Sequence, residues 1–505
     1  MPQSIILEAN CLSNQRWVRR VSFLFFVFLL IQGGTLGLSD DEAYYWVLAQ
    51  KPALGYAFHP PVVAWLITLF QKCFSWVFGV GSVILVRLPA ATGMSLVLGL
   101  GLTWLDEATR DQNVQIVRAP WVLLSFAGLF GLAWLMVPDV PLFLAWTLSF
   151  LSTWRVCFGA AQKRDRFLLM ASAAGLVLSK YSGILAVASC LTCLQFWASP
   201  VSKRQFQAWV VAGLVLGVVP ILIWNSQHEW ASILYQLRER HSGESWSLTR
   251  WLRFWLIEAV AAGPILIGYF FFLNKKIFTR AGSRIEQFLW IWIAPAALVF
   301  CFQPLFAAFK PHWAFIVWWP VVLGLAVVQM IRNSRWVRFQ VLYGVSLIAL
   351  VVLSSHWPLM GVLLSKFQGD SYQVTWDVTN DFYGWSQLRG KMASTLSPSD
   401  LALPVIGSRY QTAAQAAFSL AGSSQVTLIP RDLKERDEWP DLQVSLHEAV
   451  GGSKLTKPVL FVADNRYSEQ PHFAGARCEL LNRFDQHRGA LLAKWIELWK
   501  CVPES

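Results

Sequence analysis

The chain has 505 residues, 55% of them apolar and only 14% charged, with a mean hydropathy of +0.45. Soluble globular chains carry roughly 25% charged residues, so this composition excludes disorder, a small disulfide scaffold and an ordinary soluble enzyme. The formal charge of +12 lies wholly in the apolar part, because the stretch from Lys366 onward balances 15 basic against 16 acidic residues. The excess sits in short clusters between hydrophobic runs, and no basic stripe with interleaved aromatics points to nucleic acid.

In chain order, the first apolar run covers 17–38, follows Arg16 and contains Arg19 and Arg20. It is too long for a signal-peptide core and reads as a retained span. The loop after it, 39–82, is too apolar for water. Residues 43–50 and 61–78 read as interfacial helices anchored by Trp46, Trp65 and Trp76. Pro60 disfavours helix at His59, which places that histidine in a bend before a Pro-started helix. Further runs at 86–105, 120–137, 140–158, 167–179, 183–198, 208–224, 251–273, 288–304, 313–330 and 339–353 bring the expected spans to about eleven, with 167–179 short for one.

With the N-terminus cytoplasmic, the loops on that side hold 18 basic residues, from Arg16 to Arg338, about twice what the opposite loops carry. The same alternation places 357–505 outside. That tail reads as mixed α/β, with strand-like runs at 403–407, 426–429 and 458–463 and helix-like runs at 412–421 and 489–500. The expected organisation is therefore a transmembrane unit over 1–356 and a small extracytoplasmic α/β domain over 357–505. Cys478 and Cys501 both lie in the tail and are available to be bridged in an oxidising compartment. The eight cysteines show no zinc spacing.

Sidedness makes the polar residues of the membrane part informative. Asp40, Asp41 and Glu42 are packed together at the outer end of the first span. Adjacent carboxylates at a membrane boundary repel, so they need cations, donors or an aqueous cavity. Asp139, in the short Pro-flanked break at 137–141, and Lys180, at the outer end of 167–179, fall on the same side. So do the cations Arg238, Arg240, His241, Lys310 and His312. Carboxylates and cations at an outer cavity suit group transfer from a lipid phosphate. A phosphate leaving group needs no general acid; cations stabilise it as charge develops. One carboxylate can take the proton of an acceptor hydroxyl. There is no P-loop, Rossmann glycine fingerprint or DxD motif near a soluble α/β domain.

Asp41-Glu42-Ala43-Tyr44-Tyr45-Trp46, Gly55-Tyr56 with His59-Pro60-Pro61, Pro138-Asp139-Val140-Pro141-Leu142 and Leu178-Ser179-Lys180-Tyr181 together resemble the bacterial GT-C glycosyltransferases, the group of protein O-mannosyltransferases and the aminoarabinose lipid A transferase. Trp224-Asn225, His228-Glu229-Trp230 and Arg409–Ala413 with Phe418 are similar too. The resemblance implies a polytopic α-helical GT-C fold. It implies an activity that moves a sugar from a polyprenyl-phosphate donor to lipid A, lipopolysaccharide or another envelope acceptor on the outer face of a bacterial cytoplasmic membrane. A protein O-glycosyltransferase of the same fold, or a lipid or sugar transporter, are the alternatives. Asp41 matches the acid/base or acceptor-orienting residue, Glu42 completes the pair, and Asp139 is the second external carboxylate. Lys180 matches a donor-phosphate contact; Asp40, Tyr45, His59, Arg238, Arg240, His241, Lys310 and His312 are expected around substrate. The resemblance leaves a divalent metal ion open, with Asp41, Glu42 and His241 as its candidate set, although Phe58 stands where that branch carries an acidic residue.

Overall fold

The computed structural model describes residues 3–504 except 80, 113, 115, 132, 160, 240–244, 279–281, 370–372, 408, 421–425, 429–454, 456, 469, 472 and 474. Apolar runs fold as helices wherever no proline or polar cluster interrupts them. In chain order these are α1 (Gln3–Gly34), α2 (Asp40–Gln50), α3 (Val62–Phe78), α4 (Val83–Ala108), two short helices α5 (Ala119–Leu124) and α6 (Ala127–Phe130), α7 (Asp139–Phe158), α8 (Lys163–Ser179), α9 (Ile184–Trp197) and α10 (Pro200–Gln227). After the short α11 (Ala231–Leu234) come α12 (Leu248–Ala262), α13 (Pro264–Phe278), α14 (Arg284–Phe300), α15 (Phe315–Arg332), α16 (Arg335–His356) and α17 (Leu359–Gln368). The chain is a multi-pass membrane protein.

Among the described residues, seven helices are long and apolar enough to cross a membrane, or eight if α12 and α13, bent by 111° at their junction, form one span. The sequence expectation was about eleven. The difference has local causes. The run 120–137 is not one helix: it breaks after α5 at Ser125 and again after α6. Backbone carbonyls freed at Ser125 and at the α12–α13 break are satisfied inside the protein, as a membrane requires. Fully buried Gln340 donates to Ala262 O at 2.7 Å, at the α12–α13 break, and to Ser125 O at 3.4 Å. Gly344, one helical turn on from Gln340, lets α16 lie directly on Ser125, whose carbonyl would stand 2.0 Å from any Cβ at that position. The runs 167–179 and 183–198 become α8 and α9, of 17 and 14 residues, joined through Lys180.

The C-terminal part carries a five-stranded sheet ordered β2-β1-β3-β5-β4, from β1 (Val405–Gly407), β2 (Val426–Leu428), β3 (Val459–Asp464), β4 (Ala476–Arg488) and β5 (Leu491–Pro503). β1 pairs parallel with β2 and β3, while β3–β5 and β4–β5 are antiparallel. The helical reading of 489–500 is corrected here: these residues turn a hairpin and form β5. Their Leu, Ala, Lys and Glu content suits a helix. The inward positions Ile496 and Leu498 instead follow strand alternation, and Gly489 makes the turn at φ +60°. The strand-like readings hold for β1, β2 and β3, and 412–421 corresponds to α20 (Tyr410–Ser419), which follows the short helices α18 (Leu388–Thr395) and α19 (Pro398–Leu401).

Cys478 and Cys501 face each other across β4 and β5 and are disulfide-bonded. Replacing both with Ser is expected to destabilise the sheet by about 3 kcal/mol, because a closed loop of this length restricts the unfolded chain. Thermal unfolding of the double variant, monitored at the tryptophans of β5, checks this.

Candidate active site

Three consecutive carboxylates open α2, and helical geometry sends them in different directions. Successive residues are rotated by about 100°, so they cannot share one target. Ser39 caps the helix: its hydroxyl accepts from Glu42 N, and its own N–H donates to Glu42 Oε2 at 3.0 Å. Acidic residues in this first turn also meet the positive end of the helix.

Glu42, fully buried, turns inward to Arg87 of α4. The guanidinium binds both its oxygens, Nε to Oε1 at 2.8 Å and Nη2 to Oε2 at 2.7 Å. The remaining donors of Arg87 go to the carbonyls of Gly33, Leu36 and Gly37, and its face lies 4.9 Å from the Trp134 ring. Met136 N also donates to Glu42 Oε1, at 3.0 Å. This one ion pair ties the end of α1, the first turn of α2, α4 and the segment leading to Asp139. Arg87 was not singled out in the sequence, although a charged residue beginning an apolar run is the signal that finds it.

Asp40 turns to the C-terminal part. Gln415 of α20 donates to its Oδ1 at 3.0 Å and to Leu38 O at 2.9 Å, and Arg466 stands 3.8 Å from Oδ2. Arg466 is bound more closely to Asp381, at 2.6 Å. Burial raises the pKa of Asp40, with Lys494 opposing it; burial, then the charge of Asp40, raises Asp381 to about 6. Aromatic contacts extend the seam, Tyr44 against Tyr410 and Trp46 against Phe418. Gly37 donates to Phe382 O, at an approach no side chain would allow.

Asp41 is left facing a cavity of about 250 Å³. The same cavity is lined by Tyr45, His59, Asp139, Lys180, Lys310 and His312. Asp139 begins α7 and accepts two hydrogen bonds from Lys180 Nζ, at 2.8 and 3.1 Å, with His312 Nε2 4.0 Å away. Lys180 reaches it because the chain is extended between α8 and α9. His59 sits in the expected bend, with its ring edge-on to Tyr45. The Asp41 pKa is raised, chiefly by the desolvating walls around it; Lys310 opposes this, and the charges of Asp40 and Glu42 add to it. The walls likewise push the Tyr45 phenol well above its usual range. A second cavity, of about 400 Å³, shares His59, Lys180 and Trp313 with the first. Its other walls are mostly apolar, including Phe58, Ile184, Leu185, Val299 and Phe300.

Seven of the twelve expected site residues therefore meet at one cavity. Asp40 and Glu42 do not line it, and Arg238 is exposed and lines neither cavity. Arg240 and His241 lie outside the described residues. The metal set Asp41, Glu42 and His241 is not assembled among the described residues, since Glu42 is committed to Arg87. No group of three or more His, Cys, Asp or Glu placed to hold a metal ion occurs among them.

This arrangement of helices and sheet is also found in solved structures. ArnT from Cupriavidus metallidurans in the apo state superposes with a TM-score of 0.64 at 14% identity, covering 95% of this chain and 97% of that one. The chain has the ArnT fold. ArnT bound to undecaprenyl phosphate, from the same organism, gives a TM-score of 0.62 at 15% identity over the same shares. In sequence, the lipid A galacturonosyltransferase RgtD of Rhizobium johnstonii is 26% identical over 305 residues, 59% of this chain and 61% of that protein. The match thus spans about three fifths of the length of this curated relative. No protein-family model matches the chain. The ArnT likeness shows the kind of fold that the sequence motifs imply.

Proposed function

We propose that the protein is a glycosyltransferase that moves a sugar from a polyprenyl-phosphate donor to lipid A or a related envelope glycolipid. The reaction takes place at the outer face of the bacterial cytoplasmic membrane, with the N-terminus cytoplasmic and the disulfide-bonded tail of about 357–505 forming an extracytoplasmic domain. The observation that carries this reading is the cavity in which Asp41 stands apart from the Asp139–Lys180 pair.

Asp41 acts as general base, taking the acceptor hydroxyl proton as that oxygen attacks the anomeric carbon. The bond from that carbon to the phosphate oxygen breaks, and the electron pair leaves on the phosphate. Lys180, oriented by Asp139, neutralises the departing charge, with His59 beside it. The adjoining apolar cavity suits the polyprenyl chain, because it meets the first cavity at Lys180. Asp40 and Glu42 position Asp41 through the C-terminal part and Arg87. The test is a reaction of purified protein with polyprenyl-phosphate sugar and lipid A, read by mass spectrometry. One added sugar mass supports the proposal. Transfer to peptide hydroxyls alone, or sugar-lipid flux without acceptor, would replace it with one of the two alternatives.

The charges favour an acidic sugar. Asp139 is engaged by Lys180 and Asp41 is reserved for the hydroxyl, so among the described residues lining the cavity no carboxylate is left for an amino sugar, whereas Lys310 is exposed there. The galacturonosyltransferase activity in the name of RgtD agrees with a uronate. Lys310→Gln should weaken use of a uronate donor about tenfold, the scale of one charge-assisted contact, while sparing a neutral hexose donor.

It should also move the pH profile. A base works deprotonated, so the rate falls as pH drops through the raised pKa of Asp41. Lys310 holds that pKa down, so its loss shifts the acid limb to higher pH. An unmoved limb in the variant would separate Lys310 from Asp41.

A further inference from the structure

At the opposite end of the bundle lies a cavity of about 770 Å³, larger than either cavity at the candidate site. Asp139 and Arg155 mark the two ends of α7; sixteen residues at 1.5 Å each put them about 24 Å apart. The cavity is framed by the middle of α1 and by the ends of α4, α7, α8 and α14, and it is lined by Arg19, Arg110, Arg155, Arg164 and Arg284.

Among the described residues, most of this positive charge has no partner. Arg155 is spent: it binds Glu107 through Nε and Nη2, at 2.7 to 3.1 Å, and approaches Asp165 at 3.7 Å. The other lining carboxylates are Asp106, which accepts from Asn14, and Asp111. With the Arg155–Glu107 pair set aside, four arginines face two carboxylates. The four are exposed and enter no ion pair with another side chain among the described residues. Val18, Phe158 and Ile285 add apolar wall beside them.

We infer that this cavity binds the phosphate headgroup of an anionic phospholipid from the leaflet opposite the candidate active site. Guanidinium forks match phosphate oxygens in pairs, and basic pockets between spans on the cytoplasmic side are where anionic headgroups lodge. The apolar wall, set among four membrane-spanning helices, receives the start of the acyl chains. A lipid satisfies both parts; a free phosphate satisfies one.

The test uses the full chain, delipidated in detergent and titrated with phosphatidylglycerol, phosphatidylcholine or inorganic phosphate, with bound lipid read by native mass spectrometry. Phosphatidylglycerol should be retained at least about tenfold better than phosphatidylcholine, and Arg110→Gln/Arg284→Gln should abolish the difference while leaving sugar transfer intact. Arg19→Gln and Arg164→Gln, on other helices, carry the same expectation separately should the double variant not fold. Equal retention of the two lipids, unchanged retention in the folded variants, or inorganic phosphate displacing the lipid at comparable concentration would overturn the inference.

Discussion

Asp41→Asn is expected to lower sugar transfer by about a thousandfold, within the range for removing a positioned general base, without loss of folded protein. The asparagine keeps the shape of the side chain and removes its basicity. Asp41 is exposed to the cavity, while its neighbours on either side carry the packing. The measurement is the single-turnover rate of the purified variant, beside its thermal unfolding curve. Wild-type turnover would remove Asp41 from the chemistry; unfolding would make it structural.

The second large effect is the reverse in kind. Glu42→Gln leaves the guanidinium of Arg87 buried, at 1% exposure, without its counter-ion. Stranding one partner of a buried pair costs about 3–5 kcal/mol. That is a large share of the about 5–15 kcal/mol by which a protein is stable. We expect a sharply lowered melting temperature and poor yield, but activity per folded molecule within about tenfold of wild type. Asp41 and Glu42, adjacent in sequence, thus separate: one variant is folded and inactive, the other unstable and active where folded. A stable, inactive Glu42→Gln would place Glu42 in the cavity chemistry.

Much of this site was legible in the sequence because membranes make polar residues conspicuous. Asp41, Asp139, Lys180 and His312 stand at the ends of apolar runs, where charge is costly unless it is used, and the alternation of basic loops sets them on one side. The site's supports were less legible. Three neighbouring acids look alike until a helix begins at Asp40 and divides them by rotation. Arg87 reads as the edge of a span, and its partner lies 45 residues away. Gln415 and Arg466 fall in a balanced polar tail with nothing to tie them to Asp40 before folding. The interruptions near Ser125 and Gly263 were hidden because Gln340, far along the chain, satisfies the carbonyls they expose. The 489–500 hairpin strand was misread because helix-forming composition outweighed a short alternation that only pairing with β4 makes decisive.

The proposed chemistry requires Asp41, Asp139 and Lys180 to open into one donor-binding cavity on the outer face. Single cysteines at these positions, in a background with the free cysteines replaced, can be labelled in intact cells with the outer membrane permeabilised, using a maleimide that does not cross the inner membrane. The prediction is labelling at all three positions from outside and joint protection by added polyprenyl phosphate. Labelling of any one only after the inner membrane is opened, or protection of some without the others, would contradict it.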